Sequence, residues 1–420
     1  MQSLLVPNLS LFRPIWQWLF LAALLSAQLI ACSSPPTATP PPPVTRAPTA
    51  TPSPFSTVTS TPTDRPTATC TLTPIGQMEQ GERTPTATPE PTSTREPTST
   101  PEPTVSPANV NPLTGLTVED AARLERRPVA IKIANSPAFV RPQAGLSHAD
   151  VVFEHEAEVR LTRFTAIFYG EDAEKVGAVR STRLIDLEIP AMFRAFFAFS
   201  GASPGIVQRI KESDFADRVL SPDPNWNTEG FKRIPYPGRA YEHTLFTDTD
   251  TLWKIAEEKG WNSRQELGGW TFAADPPDDG QPATHLALVY HPRYMSVEYS
   301  YDAEVGGYRR SISGEPHTDE LTGEQLLADN VAVLYANHVP TDIVEDITAA
   351  QPLYSIEIQL WGDGPMQLFR DGQMYEGLWL RPHREDLVRF VDGTGESIPL
   401  KPGRTWIQLV RLDFEIEVEQ

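Results

Sequence analysis

Apolar residues follow two different patterns along this chain. Residues 127–134 (RPVAIKIA) form a short, nearly continuous apolar run, which is typical of a buried strand. Similar runs follow at 150–157, 161–169, 176–180 and 195–200, and apolar residues with helical spacing occur at 183–193, 204–211 and 249–259. Strands interleaved with helices predict an α/β layer domain over residues 109–270.

Beyond residue 283 the pattern changes to short segments in which apolar and polar residues alternate. Turn signals such as Asp371-Gly372 and Asp392-Gly393 separate several of these segments, as antiparallel hairpins require. Residues 271–283, which contain AADPPDDGQP, have the composition of a linker. The sequence therefore predicts an α+β multidomain protein, in which the N-terminal α/β domain is followed by a mostly antiparallel β domain over residues 284–420.

The N-terminus carries an apolar run over residues 15–30, followed directly by Ala31 and Cys32. The run is shorter than the roughly 20 residues that a membrane-spanning helix needs. A small residue before a cysteine suits signal-peptidase cleavage. We therefore expect residues 1–31 to be a lipoprotein signal peptide and Cys32 to carry a lipid that anchors the chain to the outside of the cell membrane. An uncleaved signal anchor is the alternative, and it places the chain on the same side.

The composition of residues 32–108 differs from that of the rest. Most of the 42 prolines of the chain lie before residue 110, mixed with Thr, Ser and Ala. Such a segment lacks the apolar content to offset its ordering entropy, so we expect a disordered, Pro/Thr-rich stalk. The chain has 2 cysteines, Cys32 and Cys70, and both precede the expected folded part, so we expect no disulfide and no active-site thiol within it.

The charge balance narrows the choice of partners. The formal net charge is −20 at pH 7. Binding of nucleic acid needs a basic face, so we expect no nucleic-acid partner. The sequence shows no cofactor fingerprint, and we expect neither a cofactor nor a metal ion. The expected partners are the membrane, through the lipid anchor, and a cell-wall polymer or an envelope protein.

Arginines and carboxylates are concentrated in residues 141–204. Several arginines stand at or near the ends of predicted strands, where side chains from separate strands converge. Guanidinium groups in such places could bind a carboxylate or a phosphate. These candidate anion-binding residues are Arg160, Arg163, Arg180 and Arg183. Internal ion pairing is the alternative, and the available carboxylates are Asp150, Glu154, Glu156 and Asp186.

Four further residues are candidates for chemistry at this cleft. Ser203 lies between an apolar strand and a helical run, so its SGASPG segment could bind an anion or simply cap the helix. His243 could act as a general base or ligand, or it could be a structural histidine bonded to the backbone. If the cleft is catalytic, Asp150 or Glu154 is the candidate base.

Several long motifs resemble the YerB-like lipoproteins, a two-domain bacterial family of unknown function. They include RPQAGLSHADVVFE, LTRFTAIF, GAVRSTR and SGASP, and later MQLFRDGQMYEGLW and LKPGRTWIQLV. The resemblance covers residues 111–420 and implies an envelope lipoprotein with an α/β domain and a β-rich domain, but no reaction. This chain has Val159-Arg160 where the family usually has Gly-Gly, and Phe199 where the family usually has His.

Two functions remain open on the sequence alone. The first is a non-enzymatic module whose cleft binds an anionic envelope component or a protein partner. The second is an envelope enzyme acting on a phosphate-bearing or glycan substrate, in which the arginines stabilise anionic charge. The two functions make different demands on the carboxylates of the cleft. An enzyme needs at least one carboxylate that is free to accept a proton, whereas a binding cleft tolerates all of them being paired.

Overall fold

The computed structural model describes residues 109–346 and 351–420. The predicted signal peptide, the lipidation of Cys32, the thiol of Cys70 and the predicted stalk therefore lie outside the described residues. Within the described part of the chain, no helix is long and apolar enough to cross a membrane. All described residues belong to one compact unit.

The described residues contain many short strands and few helices. In chain order these are β1 (Val129–Ala134), β2 (Val151–Glu156), β3 (Thr162–Phe168), β4 (Val176–Gly177), α1 (Ile189–Met192), β5 (Phe196–Ala198), α2 (Pro204–Lys211), β6 (Val219–Leu220), β7 (Lys232–Arg233), β8 (Leu245–Thr247), α3 (Thr249–Glu258), β9 (Gln281–Pro282), β10 (His285–His291), β11 (Met295–Asp302), β12 (Gly307–Ile312), β13 (Glu315–Pro316), β14 (Leu327–Ala328), β15 (Asn330–Asp346), β16 (Leu353–Gln359), β17 (Gly362–Arg370), β18 (Gln373–Arg381), β19 (Arg389–Val391), β20 (Thr405–Arg411) and β21 (Ile416–Glu419).

One large sheet runs through both the N-terminal half (109–270) and the C-terminal half (284–420). Its strand order is β19-β18-β17-β15-β20-β2-β3-β1-β5-β6, with β16 beside β15 and β9 beside β18. Strand β20 pairs in parallel with β15 on one side and with β2 on the other, so that Thr405 lies opposite both Asn330 and Val151. The sheet therefore joins two segments that the sequence predicted as separate domains.

Strand β20 is covered on both faces. Trp406 and Val410 belong to one hydrophobic cluster, and Ile407 and Leu409 belong to the other. This alternation follows from the opposite directions of successive side chains in a strand. Helices α1 and α2 contribute to the cluster that contains Ile407, whereas α3 and the six-stranded sheet β13-β12-β11-β10-β21, with β14, contribute to the cluster that contains Trp406.

The structure does not confirm the predicted α+β label and α/β layer, because the described chain is mostly β. Helix α1 has four residues, and the predicted strand at 176–180 is reduced to the two residues of β4. The predicted bounds of α2 are confirmed. The cap of α3 is Asp248, whose side chain accepts a hydrogen bond from the Thr251 amide. In the C-terminal half the antiparallel pattern holds except at β20, which is parallel to both neighbours.

The segment 271–283, predicted as a linker, is packed onto the C-terminal half. Phe272 forms a β-bridge with Leu400. The Arg370 side chain donates to the Ala274 carbonyl at 3.1 Å, and β9 pairs with β18. These contacts make the segment part of the fold, although its composition is that of a loop.

We expect residues 109–270 to be unable to fold alone. Without β20, strand β2 loses its parallel partner and exposes an unpaired edge, and both hydrophobic clusters lose their C-terminal members. Circular dichroism and thermal unfolding of residues 109–270 should show no cooperative transition, whereas residues 109–420 should show one. A cooperative transition of the shorter fragment at the temperature of the longer one would instead establish two independent domains.

Candidate functional site

The carboxylates of β2 are held by arginines from the C-terminal half. Glu154 is fully buried, and its Oε2 accepts a hydrogen bond from Arg310 Nη2 at 2.9 Å. Its other oxygen accepts from two further side chains. Glu156 binds Arg411 through both oxygens, at 2.8 and 2.9 Å. Internal pairing therefore occupies both carboxylates, and Glu154 lies apart from the predicted arginine cleft.

Arg183 is also paired internally. Its guanidinium donates to both oxygens of Glu158, with a distance of 2.7 Å from Nη2 to Oε2. Its Nη1 lies 3.7 Å from Glu345 on β15, and the residue is 8 % exposed. Burial alone would raise the pKa of Glu158, but the hydrogen bonds and charge of Arg183 hold that pKa below its ordinary value. Arg183 is thus a structural cation.

Arg163 lies beside this pair and shares its carboxylate. Its Nη1 donates to the Ser181 carbonyl at 2.7 Å, and its Nη2 lies 4.0 Å from Glu158. Burial, and then the charge of Arg183, lowers the pKa of Arg163 to about 9. The negative charge of Glu158 therefore stabilises the guanidinium groups of both Arg163 and Arg183.

Arg180 differs from the other two arginines of this segment. It is half-buried, and its Nη1 donates to the backbone carbonyl of Glu242 at 3.0 Å. Among the described residues, no carboxylate lies within ion-pairing distance of its guanidinium. Burial lowers the pKa of Arg180, and only the more distant charge of Glu242 opposes this effect appreciably. Most of its donors therefore remain available to a ligand.

Two further arginines surround the turn that Arg180 contacts, Tyr241–His243. Arg233 Nη1 donates to the Tyr241 carbonyl at 2.6 Å, and its guanidinium lies 3.7 Å from the centroid of the Tyr241 ring. The Arg239 guanidinium lies 4.1 Å from the centroid of the Tyr236 ring. We call Arg180, Arg233, Arg239 and this turn the arginine face. Arg233 and Arg239 were not among the candidates predicted from the sequence. The mixture of basic and aromatic residues in FKRIPYPGRAYEH is the sequence feature that could have indicated them.

His243 is the buried residue of the turn in the arginine face. It is 5 % exposed, and its ring packs edge-on against Phe139 with centroids 5.1 Å apart. Its Nδ1 has no hydrogen-bond partner among the described residues, and its Nε2 lies 3.9 Å from Glu242 Oε1. Burial, followed by the charge of Arg180, lowers the pKa of His243 to about 4. The imidazole is therefore neutral at pH 7 and retains one unused nitrogen.

Asp150 lies outside the arginine face. It directly precedes β2, whereas Arg163 lies opposite His155 near the far end of that strand. Since a strand rises about 3.3 Å per residue, the two side chains belong to opposite ends of the sheet. The structure thus separates the candidate base from the arginines that it was expected to join.

Asp150 lines a different cavity of about 390 Å³, together with His148, Glu171 and Arg404. Its Oδ2 accepts from the Tyr169 amide at 2.6 Å, and its Oδ1 accepts from the Asn111 side chain at 2.5 Å. Burial raises the pKa of Asp150 to about 6, although these donors favour the charged form. A Cβ at Gly170 would come within 2.5 Å of the Asn111 amide nitrogen, so the packing here requires glycine.

Arg160 and Ser203 occupy separate positions. Val159 and Arg160 have φ angles of 54° and 59°, in the left-handed region that favours glycine. Arg160 is exposed and lines a smaller cavity with Arg411. Ser203 occupies the cap position of α2, but its buried Oγ makes no cap hydrogen bond and has no partner among the described residues. The expected side-chain cap is therefore absent from this helix.

A buried polar network that the sequence did not indicate supports the Arg183 segment. Lys132 donates to Thr165 at 2.9 Å, forms an ion pair with Asp186 at 2.8 Å, and contacts His155. Asp186 in turn accepts from the Arg183 amide at 2.7 Å. Burial lowers the pKa of Lys132 to about 8 and that of His155 to about 3. All four side chains of the network are fully buried, so they position the segment and do not face solvent.

Comparison with known proteins places this architecture in a family. One family model, "Protein of unknown function (DUF3048) N-terminal domain", matches residues 113–262, and the corresponding C-terminal domain model matches residues 286–407. The chain belongs to the DUF3048 family. No group of three or more His, Cys, Asp or Glu side chains within residues 109–346 and 351–420 is arranged to hold a metal ion.

A relative and a solved structure extend the comparison across the DUF3048 region. The "Putative lipoprotein YerB" of Bacillus subtilis (strain 168) is 33 % identical over 305 residues, which are 71 % of this chain and 85 % of the relative. The crystal structure of YerB protein from Bacillus subtilis is similar with a TM-score of 0.62 and 32 % identity, and the match covers 74 % of this chain and 99 % of that chain. The resemblance to YerB-like lipoproteins is thereby confirmed.

The internal pairing of Arg183 predicts a difference in stability between two neighbouring arginines. Arg183→Ala leaves Glu158, whose side chain is 13 % exposed, without its main partner, so we expect a loss of about 3 kcal/mol in the free energy of unfolding. Arg180→Ala removes a half-buried group without an ion pair, so we expect a loss below about 1 kcal/mol. Urea unfolding measures both, with the exposed Arg160→Ala as control. Equal losses for Arg180 and Arg183 would mean that Arg180 is also held structurally.

The buried carboxyl of Asp150 predicts a pH dependence of stability. Its pKa is about 6 when folded and 3.8 as the ordinary value, so the folded state binds more protons between these values. Stability should therefore decrease as the pH rises from about 4 to 6 and then level off, by about 3 kcal/mol for this group alone. The measurement is the free energy of unfolding of the wild type minus that of Asp150→Asn across this range. A constant difference would show that Asp150 titrates normally.

Proposed function

We propose that this protein is an extracytoplasmic lipoprotein, anchored through Cys32, whose arginine face binds an anionic component of the cell envelope. The observation that carries this proposal is Arg180, a half-buried guanidinium that has one hydrogen bond to a backbone carbonyl and, within residues 109–346 and 351–420, no ion-pairing carboxylate. A buried cation is costly without a partner. An anionic ligand supplies such a partner.

The contrast with the structural arginines supports this choice of surface. Arg183 and Arg310 each have a carboxylate that satisfies the charge. Arg180, Arg233 and Arg239 have no ion pair among the described residues, although Asp and Glu outnumber Lys and Arg by 55 to 35 in the whole chain. A local cluster of unpaired guanidinium groups can bind an anion selectively on an acidic protein. The negative charge of the rest of the protein repels anions and so limits unspecific binding.

The anchoring part of the proposal rests on the sequence and on a relative. The Leu-Ile-Ala-Cys segment ends at Cys32, after an apolar run that suits a lipoprotein signal peptide. The Bacillus subtilis relative carries the name "Putative lipoprotein YerB". In this arrangement the Pro/Thr-rich residues 32–108 connect the lipid to the folded part, and the arginine face meets its ligand outside the membrane.

The enzymatic alternative has less support. It requires one of the two candidate bases, Asp150 or Glu154, to be free to accept a proton beside the arginines. Glu154 is occupied by Arg310 and by two other donors. Asp150 directly precedes β2, whereas Arg163 lies near the other end of that strand. We therefore favour binding over catalysis.

The proposal predicts loss of anion binding in Arg180→Ala. Full-length protein in detergent should bind polygalacturonate or inorganic polyphosphate, and Arg180→Ala should bind at least one of them about tenfold more weakly, because one charge-assisted contact is lost. Binding measured by calorimetry at two salt concentrations should also become less salt-dependent in the variant. Arg160→Ala is the matched control on another surface. Absence of salt-dependent wild-type binding to either polyanion would refute the proposal.

A further inference from the structure

Two exposed aromatic rings flank the cations of the arginine face. Tyr241 is 72 % exposed and Phe139 is 45 % exposed. The Tyr241 ring contacts the Arg233 guanidinium, and the Phe139 ring packs against His243. Large aromatic side chains gain most from burial, so their exposure at one place indicates a surface that becomes covered.

We infer that the ligand of the arginine face is an anionic carbohydrate polymer, an inference that rests on the binding function proposed above. A sugar ring has an apolar face of C–H groups that packs on an aromatic ring, and its carboxylate or phosphate substituents are available to guanidinium groups. The arginine face presents both kinds of partner around one turn. An anion without sugar rings would use Arg180 and Arg233 but would leave Tyr241 and Phe139 exposed.

Glu242 places a carboxylate on the arginine face. Its side chain is 55 % exposed. Its backbone carbonyl accepts the hydrogen bond of Arg180, and Arg233 donates to the carbonyl of the preceding residue, Tyr241. It lies 3.9 Å from His243 Nε2 but outside ion-pairing distance of both arginines. The Glu242 carboxylate therefore offsets part of the positive charge in the free protein, and it opposes any anion that approaches. Removing its charge strengthens anion binding without adding a contact.

The same combination of arginine and aromatic residues also occurs in proteins that bind single-stranded nucleic acid. The formal net charge of −20 opposes a long phosphate backbone, which needs an extended basic groove rather than one cluster. The arginine face is small and local, so it fits a few charged sugar units. A single-stranded oligonucleotide is consequently a useful competing probe.

The test measures the binding of three polymers and of a single-stranded oligonucleotide to the full-length protein in detergent. Polygalacturonate carries sugar rings and charge, inorganic polyphosphate carries charge alone, and dextran carries sugar rings alone. We expect polygalacturonate to bind most tightly. Tyr241→Ala should weaken polygalacturonate binding about tenfold and change polyphosphate binding less than about twofold, as expected for one lost stacking contact. Tyr294→Ala, which removes a ring that is 60 % exposed elsewhere, is the control.

A second variant separates the charge contribution from the stacking contribution. Glu242→Gln should increase the affinity for polygalacturonate and for polyphosphate alike, by about threefold or more, because it removes a competing anion. Tyr241→Ala could lower the affinity for polygalacturonate and for polyphosphate equally, or the oligonucleotide could bind more tightly than polygalacturonate. Either outcome would overturn the carbohydrate inference and leave anion binding intact. Failure of every polyanion to bind the wild type would overturn the proposed function itself.

Discussion

The parallel pairing of β20 with both β15 and β2 is the constraint on which the rest of the structure depends. The strand comes from near the end of the chain, yet it lies at the centre of the large sheet. It supplies side chains to the hydrophobic clusters on both faces of that sheet. One of its two buried polar residues, Gln408, forms hydrogen bonds with Tyr290 and Tyr299 from the smaller sheet. Two sequence regions thereby become one folding unit.

The buried charges follow from this arrangement. Glu154 and Arg310 are fully buried and come from different halves of the chain. The Arg310 guanidinium also lies 4.8 Å from the ring centroid of Trp406, and it donates to Tyr299 and His317. Desolvation makes such a pair weak evidence for added stability. The pair constrains how the halves fit, because misplacing either partner would leave a buried charge without compensation.

The cost of leaving a buried charge without a partner also distinguishes the structural arginines from the candidate binding arginines. Arg180 and Arg183 are close in sequence and both follow β4, but only Arg183 turns toward Glu158 and Glu345. Arg180 reaches the outer turn Tyr241–His243, where the protein offers a carbonyl instead of a carboxylate. A binding site in this protein is therefore better sought where charge lacks an internal partner than where arginine is most abundant.

The sequence by itself determined most of the elements of the folded part, since apolar periodicity and turn chemistry report local structure directly. The bounds of α2, the position of β2 and most strands of the C-terminal half agree with those patterns. Arg180 and His243 were also identified from the sequence, and they share one surface in the fold. The family membership is equally a property of the sequence motifs.

Only the tertiary structure decided which elements are neighbours and which charges are paired. The apolar run of β20 is compatible with many partners, so its position between β15 and β2 cannot be derived from local pattern. Arg233 and Arg239 lie in a turn-rich segment without periodicity, and their place beside Arg180 depends on long-range packing. A single sequence specifies charge, but burial and distance decide whether that charge meets a carboxylate or remains available to a ligand.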